Sequence, residues 1–161
     1  MDKVIIKEED IDTVYVQLAM DPEGGVKVMS DFAESQPHVA AWLLGDGFDV
    51  LTEDEQDYMF FLATSVYLAV KSKVEQMPVL DGESLRNAEE RNWSLLEGVK
   101  AKSFQDRITV LFEDSDQEDL LAFVEDSLAE DDVFQDDVTT PVGREPIFVA
   151  MKSLIDAMPM L

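Results

Sequence analysis

The stretch YLAVKSKVEQMP, from Tyr67 to Pro78, returns 81 positions later as FVAMKSLIDAMP, from Phe148 to Pro159. Ala, Lys, Ser, Met and Pro recur at five of the twelve aligned places, and like residues (Tyr/Phe, Leu/Val, Val/Met, Val/Ile, Glu/Asp) fill five others. At the same offset SQPHVAAWL, from Ser35 to Leu43, lies opposite DQEDLLAFV, from Asp116 to Val124, so that Gln36 meets Gln117 and Trp42 meets Phe123. One residue of slippage upstream brings Val26, Val28 and Met29 opposite Ile108, Val110 and Leu111. Matches in one order at one offset point to an internal duplication. The expected architecture is a single all-α domain, a bundle of about eight helices. It is built from two similar four-helix halves, residues 1–80 and 81–161, related by a pseudo-two-fold axis.

Periodicity supports the helical reading. Ile11, Val14, Tyr15 and Leu18 fall at i, i+3, i+4 and i+7, one face of a helix that Pro22, Gly24 and Gly25 are expected to end. Val26 to Glu34 reads as a second, short helix. Pro37 suits the first turn of a third, because its missing N–H has no intrahelical partner there, and Gly45 and Gly47 supply the stop. Thr52 followed by Glu55 is a capping box opening the longest helix, which is expected to run to about Gln76. Between Met59 and Val70 that helix is apolar almost all round, the pattern of a helix in the middle of a bundle. Further helices follow around Leu85 to Leu96, Phe104 to Phe112 and Leu120 to Leu128, and a last one from about Glu145 to Met158. The repeated stretch is then the central, partner-facing helix of each half. Its shared Met-Pro ending is a stop signal, because the residue before a proline disfavours the helical region. The expected core includes Trp42, Phe60, Phe61, Leu68, Phe123, Phe148, Met151 and Ile155.

A chain of 161 residues with 46% hydrophobic content can bury a real core. Around it stand 36 acidic and 12 basic residues, a formal net charge of -24. Such a surface repels phosphate backbones and anionic lipids, so neither direct nucleic-acid binding nor membrane binding is expected. The amino-terminal MDKVIIKEED has an apolar run of only three residues, too short for a signal peptide. The longest near-apolar stretch, Met59 to Val70, falls short of the roughly 18 residues of a membrane span. A cytoplasmic protein is expected.

Catalytic chemistry finds few resources. With no cysteine and one histidine, thiolate nucleophiles, thiolate zinc sites and imidazole-rich metal sites are excluded. His38, at a helix start, reads as a partly exposed neutral side chain. No glycine-rich phosphate loop is present, and PEGG at Pro22 to Gly25 reads as a helix terminator. Asp114, Asp116, Glu118 and Glu125 match positions one, three, five and twelve of an EF-hand loop, but position six is Asp119 where the turn needs glycine. An acidic helix start, facing the positive end of the helix dipole, accounts for that run better. Clusters such as Glu53, Asp54, Glu55 and Asp57, or Glu89 and Glu90, could hold magnesium or manganese in a carboxylate-dependent hydrolase, which is the alternative function. A solvated helix face suits them better. No cofactor is expected.

Charge distribution says more. Residues 1–70 carry 15 acids and 3 bases, residues 71–107 carry 7 of each, and residues 108–161 carry 14 acids and 2 bases. The densest run, Asp114 to Asp137, has 11 acids and no base. The function expected from this pattern is a non-enzymatic protein-interaction module, an adaptor or regulator that binds a basic protein, such as one that itself binds nucleic acid. Its expected contact residues are Asp131, Asp132, Asp136 and Asp137, with Phe134 as the apolar anchor among them. Lys71 and Lys152, near the carboxyl ends of their helices, are expected to complement the helix dipole and not to mark a site.

Overall fold

The computed structural model describes residues 3–129 and 141–161, and within them the chain is helical, with no strand. Eight α-helices follow in order: α1 (Glu8–Met20), α2 (Pro22–Ser35), α3 (Pro37–Leu43), α4 (Glu53–Lys71), α5 (Gly82–Glu97), α6 (Phe104–Glu113), α7 (Glu118–Leu128) and α8 (Pro141–Ala157). A single 3₁₀ turn, Asp46–Phe48, links α3 to α4. No helix of the described residues is long and apolar enough to cross a membrane.

Local signals set most helix starts. Thr52 Oγ1 accepts the Glu55 N–H at 3.1 Å while the Glu55 carboxylate accepts the Thr52 N–H at 2.9 Å, so the capping box of α4 forms in both directions. Asp81 and Ser103 cap α5 and α6 through the N–H groups of Ser84 and Asp106. Pro37 opens α3, as its sequence position suggests.

At PEGG the expectation holds in part. α1 ends just before it, at Met20, with Asp21 out of helical conformation, but the same residues also begin α2, with Pro22 in the first turn and Asp21 accepting the Gly24 N–H at 3.0 Å. Glycine matters here because a Cβ on Gly24 would overlap the Asp21 carboxylate folded over the helix start. The fourth helix also stops earlier than expected, at Lys71 rather than near Gln76. Ser72 turns its hydroxyl back onto the Ala69 carbonyl at 2.6 Å, and the chain leaves the helix for Pro78 in non-helical conformation. The eighth helix, by contrast, begins at Pro141, a turn before the expected Glu145.

At the centre, α4 packs against α8, and each is buried over several consecutive turns. Leu62, Ala63, Val66 and Val70 of α4 meet the interior together with Phe148, Met151 and Ile155 of α8. The start of α8 comes so close to α4 that a Cβ on Gly143 would overlap the buried Glu55 carboxylate. Trp42, Phe60, Phe61, Leu68 and Phe123, expected inside, are only partly buried and pack against this core from its rim.

The other helices wrap the central pair. Along residues 8–71, α1 contacts α2 and α4, and α3 contacts α2 and α4. Along residues 82–157, α5 contacts α6 and α8, and α7 contacts α6 and α8. Between the two sets α1 lies on α7 and α3 lies on α5. Two buried glutamines bind the extended segments that lead into α1 and α5. Gln117 donates to the Val4 carbonyl at 2.7 Å and accepts the Ile6 N–H at 3.1 Å, while Gln36 donates to the Pro78 carbonyl at 2.8 Å and accepts the Leu80 N–H at 2.9 Å.

Candidate interaction face and a buried ion cage

Three helices, α1, α4 and α7, meet along one seam, and aromatic side chains fill it. Tyr15 of α1 stands edge to face with Phe61 of α4 at 5.9 Å between ring centroids, and with Phe123 of α7 at 5.8 Å. Tyr58 stacks on Phe61 at 6.4 Å and donates its hydroxyl to the Ser127 carbonyl at 2.7 Å. Burial raises the Tyr58 phenol above its ordinary value, which keeps it a neutral donor. Tyr15 remains 39% exposed, so the cluster is a surface of the molecule as well as a joint within it.

Carboxylates surround these rings. Asp12 lies one helical turn from Tyr15, Asp54 from Tyr58, Asp57 from Phe61 and Asp126 from Phe123, and all four are exposed. The three helices also carry Glu8, Glu9, Asp10, Glu53, Glu118, Asp119 and Glu125, against one cation, Lys71, at the last residue of α4, and Lys73 just beyond it pairs with Asp10 at 3.4 Å. The Glu125 carboxyl is raised, first by burial and then by neighbouring Asp126. Asp119 is partly engaged, because it accepts the Glu8 N–H at 3.1 Å and so caps α1 from across the seam.

The seam between α3 and α5 has a different chemistry. There Trp42 stands edge to face with Phe48 at 5.6 Å. The Glu89 carboxyl, raised by burial, lies near enough to the indole N–H to be drawn partly back, yet no hydrogen-bond geometry joins them, so the attraction is electrostatic. Arg86 and Arg91, both exposed, lie on α5 with Glu90, which leaves this side mixed in sign.

Behind the second half of the chain sits a charge cluster that sequence reasoning missed. Lys152, expected to complement the helix dipole, is fully buried within α8. Its ammonium donates to Asp114 Oδ2 and Asp156 Oδ2 at 2.8 Å each and to Asn92 Oδ1 at 2.9 Å, which uses all three of its protons. Asn92 in turn donates to Ser153 Oγ and Asp156 Oδ2 at 3.1 Å, and Arg91 Nη2 reaches Asp114 Oδ1 at 2.6 Å. Burial pulls the Asp114 carboxyl upward, but the hydrogen bond and charge of Lys152, aided by Arg91, outweigh it and hold the group below its ordinary value. Lys71, by contrast, is exposed at the end of α4. The missed signal was a lysine inside the apolar run Ile147 to Ile155 with an aspartate four residues on.

Asp114 is therefore committed to a lysine and an arginine, whereas the EF-hand comparison would have had it ligate calcium. Among the described residues no three His, Asp or Glu side chains converge as a metal site. An open cleft of about 350 Å³ lies beside the cage, lined by Lys3, Arg91, Asp116, Asp156, Met158 and Leu161 among others. Its charges are of both signs, so it favours no one class of ligand. The contact residues expected from sequence, Asp131, Asp132, Phe134, Asp136 and Asp137, lie outside the described residues. No protein-family profile, curated protein or solved structure matches this chain.

Proposed function

We propose that this protein is a non-enzymatic interaction module, an adaptor or regulator in the cytoplasm that binds a basic protein and does not itself bind nucleic acid or membrane. The observation that carries this reading is the one-sided charge of α1, α4 and α7, whose surface carboxylates share these helices with one lysine, Lys71, while Lys73 just beyond α4 pairs with Asp10 at 3.4 Å. A potential of one sign over a connected face speeds encounter with an oppositely charged partner and rejects acidic competitors. The acidic run from Asp131 to Asp137 adds charge of the same sign to the chain, with Phe134 as an apolar anchor. The test is capture of partners from a lysate at low and then at high salt, with the isolated partner measured against two variants. Changing Asp131, Asp132, Asp136 and Asp137 together to Asn should slow association, and Phe134→Ala should mainly speed dissociation. A partner indifferent to salt and to all five substitutions would overturn the reading.

The scaffold itself we read as a duplication with pseudo-two-fold symmetry. Exchanging α1 to α4 for α5 to α8 turns the α1–α7 contact into the α3–α5 contact and leaves α4–α8 unchanged. Gln36 and Gln117 support the same exchange through equal pairs of hydrogen bonds. So do the tilted aromatic pairs between second and fourth helices, Phe32 with Tyr67 and Phe112 with Phe148. The clamped segments and first helices correspond at an offset of about 74 and the later helices at about 81, the difference lying in the longer α5 and the longer connection after it. Against this background the acidic seam is where the halves have diverged. The place of Tyr15 is taken by Glu89 on the other side, and the place of Phe123 by Trp42.

A further inference from the structure

We infer that the aromatic seam of α1, α4 and α7 is the docking face for an arginine-bearing helix or strand of the partner, with Tyr15 as the ring that receives a guanidinium. The inference rests on the reading of the protein as an acidic interaction module and names the place and chemistry of its contact.

Two properties of the seam select arginine among basic groups. The first is a cluster of four rings in which Tyr15 is exposed while Tyr58, Phe61 and Phe123 are partly buried behind it. An aromatic face carries negative quadrupole density, and the planar, weakly hydrated guanidinium stacks on it far more readily than the compact, strongly hydrated ammonium of lysine. The second is the position of the carboxylates. Asp12, Asp57 and Asp126, each on a different helix and each one turn from a ring, are exposed and make no ion pair among the described residues. A carboxylate beside a ring lets one guanidinium stack and take a bidentate hydrogen bond together. Lysine can use the carboxylates as a point charge, but it gains less from the rings.

A second copy of the chain fits the face poorly. Its own acidic helices would approach at like charge, and its cations on α5 are interleaved with Glu83, Glu89, Glu90 and Glu97. The mixed seam around Trp42, Glu89 and Arg86 lacks the one-signed rim, which makes it the internal control.

The experiment titrates the full chain with an alanine-based helical peptide carrying arginines, and with the same peptide carrying lysines, following amide NMR spectra and affinity at low and high salt. The arginine peptide should shift amides around Tyr15, Phe61 and Phe123 and bind about three- to tenfold more tightly than the lysine peptide. Tyr15→Ala should erase that preference, Tyr15→Phe should keep it, and removing an exposed ring that lies on α5 outside this seam, by Trp93→Ala, should leave it unchanged. Circular dichroism of each variant separates lost binding from lost fold. If both peptides bind with equal affinity whether or not Tyr15 is present, or if the shifts fall elsewhere, this face is not the docking site while the acidic module reading survives. If the same amides shift on raising protein concentration alone, a second copy covers the face and the inference fails. If neither peptide binds at low salt better than a neutral one, the module reading falls and takes this inference with it.

Discussion

Gln36 and Gln117 make the same two hydrogen bonds to different parts of the chain, each holding an extended segment two residues before a helix starts. The amide of each is buried, and each bonds both a carbonyl and an N–H of a backbone that no other helix or strand satisfies. Removing either side chain strands one donor and one acceptor, a loss of about 2 to 4 kcal/mol. Urea denaturation of Gln36→Ala and Gln117→Ala should therefore give losses of similar size. A negligible loss at one position would mean that the two clamps are not equivalent.

Cutting the chain between Glu75 and Gln76, where both residues are exposed and outside any helix, should leave two pieces that do not fold separately. Each would present a helix whose buried face belongs against its partner, α4 in one piece and α8 in the other. Mixed at equal concentration, the pieces should recover the circular dichroism of the intact chain. Independent folding of either piece would remove the interdependence argued from the central pair.

Lys152→Met should cost about 3 kcal/mol, because it leaves Asp114 and Asp156 close together over the vacated site with only Arg91 and Asn92 to compensate. Adding Asp156→Leu should recover part of that loss, since an apolar pair can replace a buried ion pair at little net cost. Chemical denaturation of the single and double variants checks both statements. A double variant weaker than the single one would show that Asp156 has a structural role apart from Lys152.

Asp114 makes the cage sensitive to acid. Its folded-state carboxyl is held below the ordinary value, so it contributes stability that is present above the unfolded value near 4 and lost as pH falls through the folded one. Asp114→Asn should accordingly lower the melting temperature at neutral pH, and the gap to the unaltered protein should close as the pH falls below about 4. A gap that stays constant from neutral pH down through that range would mean that the charge of Asp114 is not what stabilises the cage.

Helix content and order were legible in the sequence because they rest on signals within a few residues: the Thr52–Glu55 box, Pro37 in a first turn, and the apolar circumference of Met59 to Val70. PEGG was legible only as a stop, because the same residues that follow the end of α1 at Met20 also start α2, and only the fold of Asp21 over Gly24 reveals the start. The core was read less well. Trp42, Phe61 and Phe123 are bulky and apolar but lie on helices whose mutual contacts leave them at a rim, a matter of docking that periodicity does not encode. The burial of Lys152 was not legible for the opposite reason, since three partners from three regions of the chain make a buried cation tolerable. Of the face around Tyr15, the sequence contained the acids but not their convergence on four rings.

The clamp on Val4 and Ile6 has a consequence for how the protein is made. Its partners lie on Gln117, and the Val4 N–H also donates to the Met160 carbonyl at 3.0 Å. A ribosome adding about 5 to 20 residues per second needs on the order of 5 to 20 s after Ile6 to deliver Gln117, and longer to deliver Met160. Throughout that interval the Val4–Ile6 segment is without the groups that fix it, and Ile6 cannot reach the interior it occupies in the finished molecule. This segment thus settles only after α1 to α6 have been made, and a nascent chain stalled before α7 leaves it open and protease-sensitive.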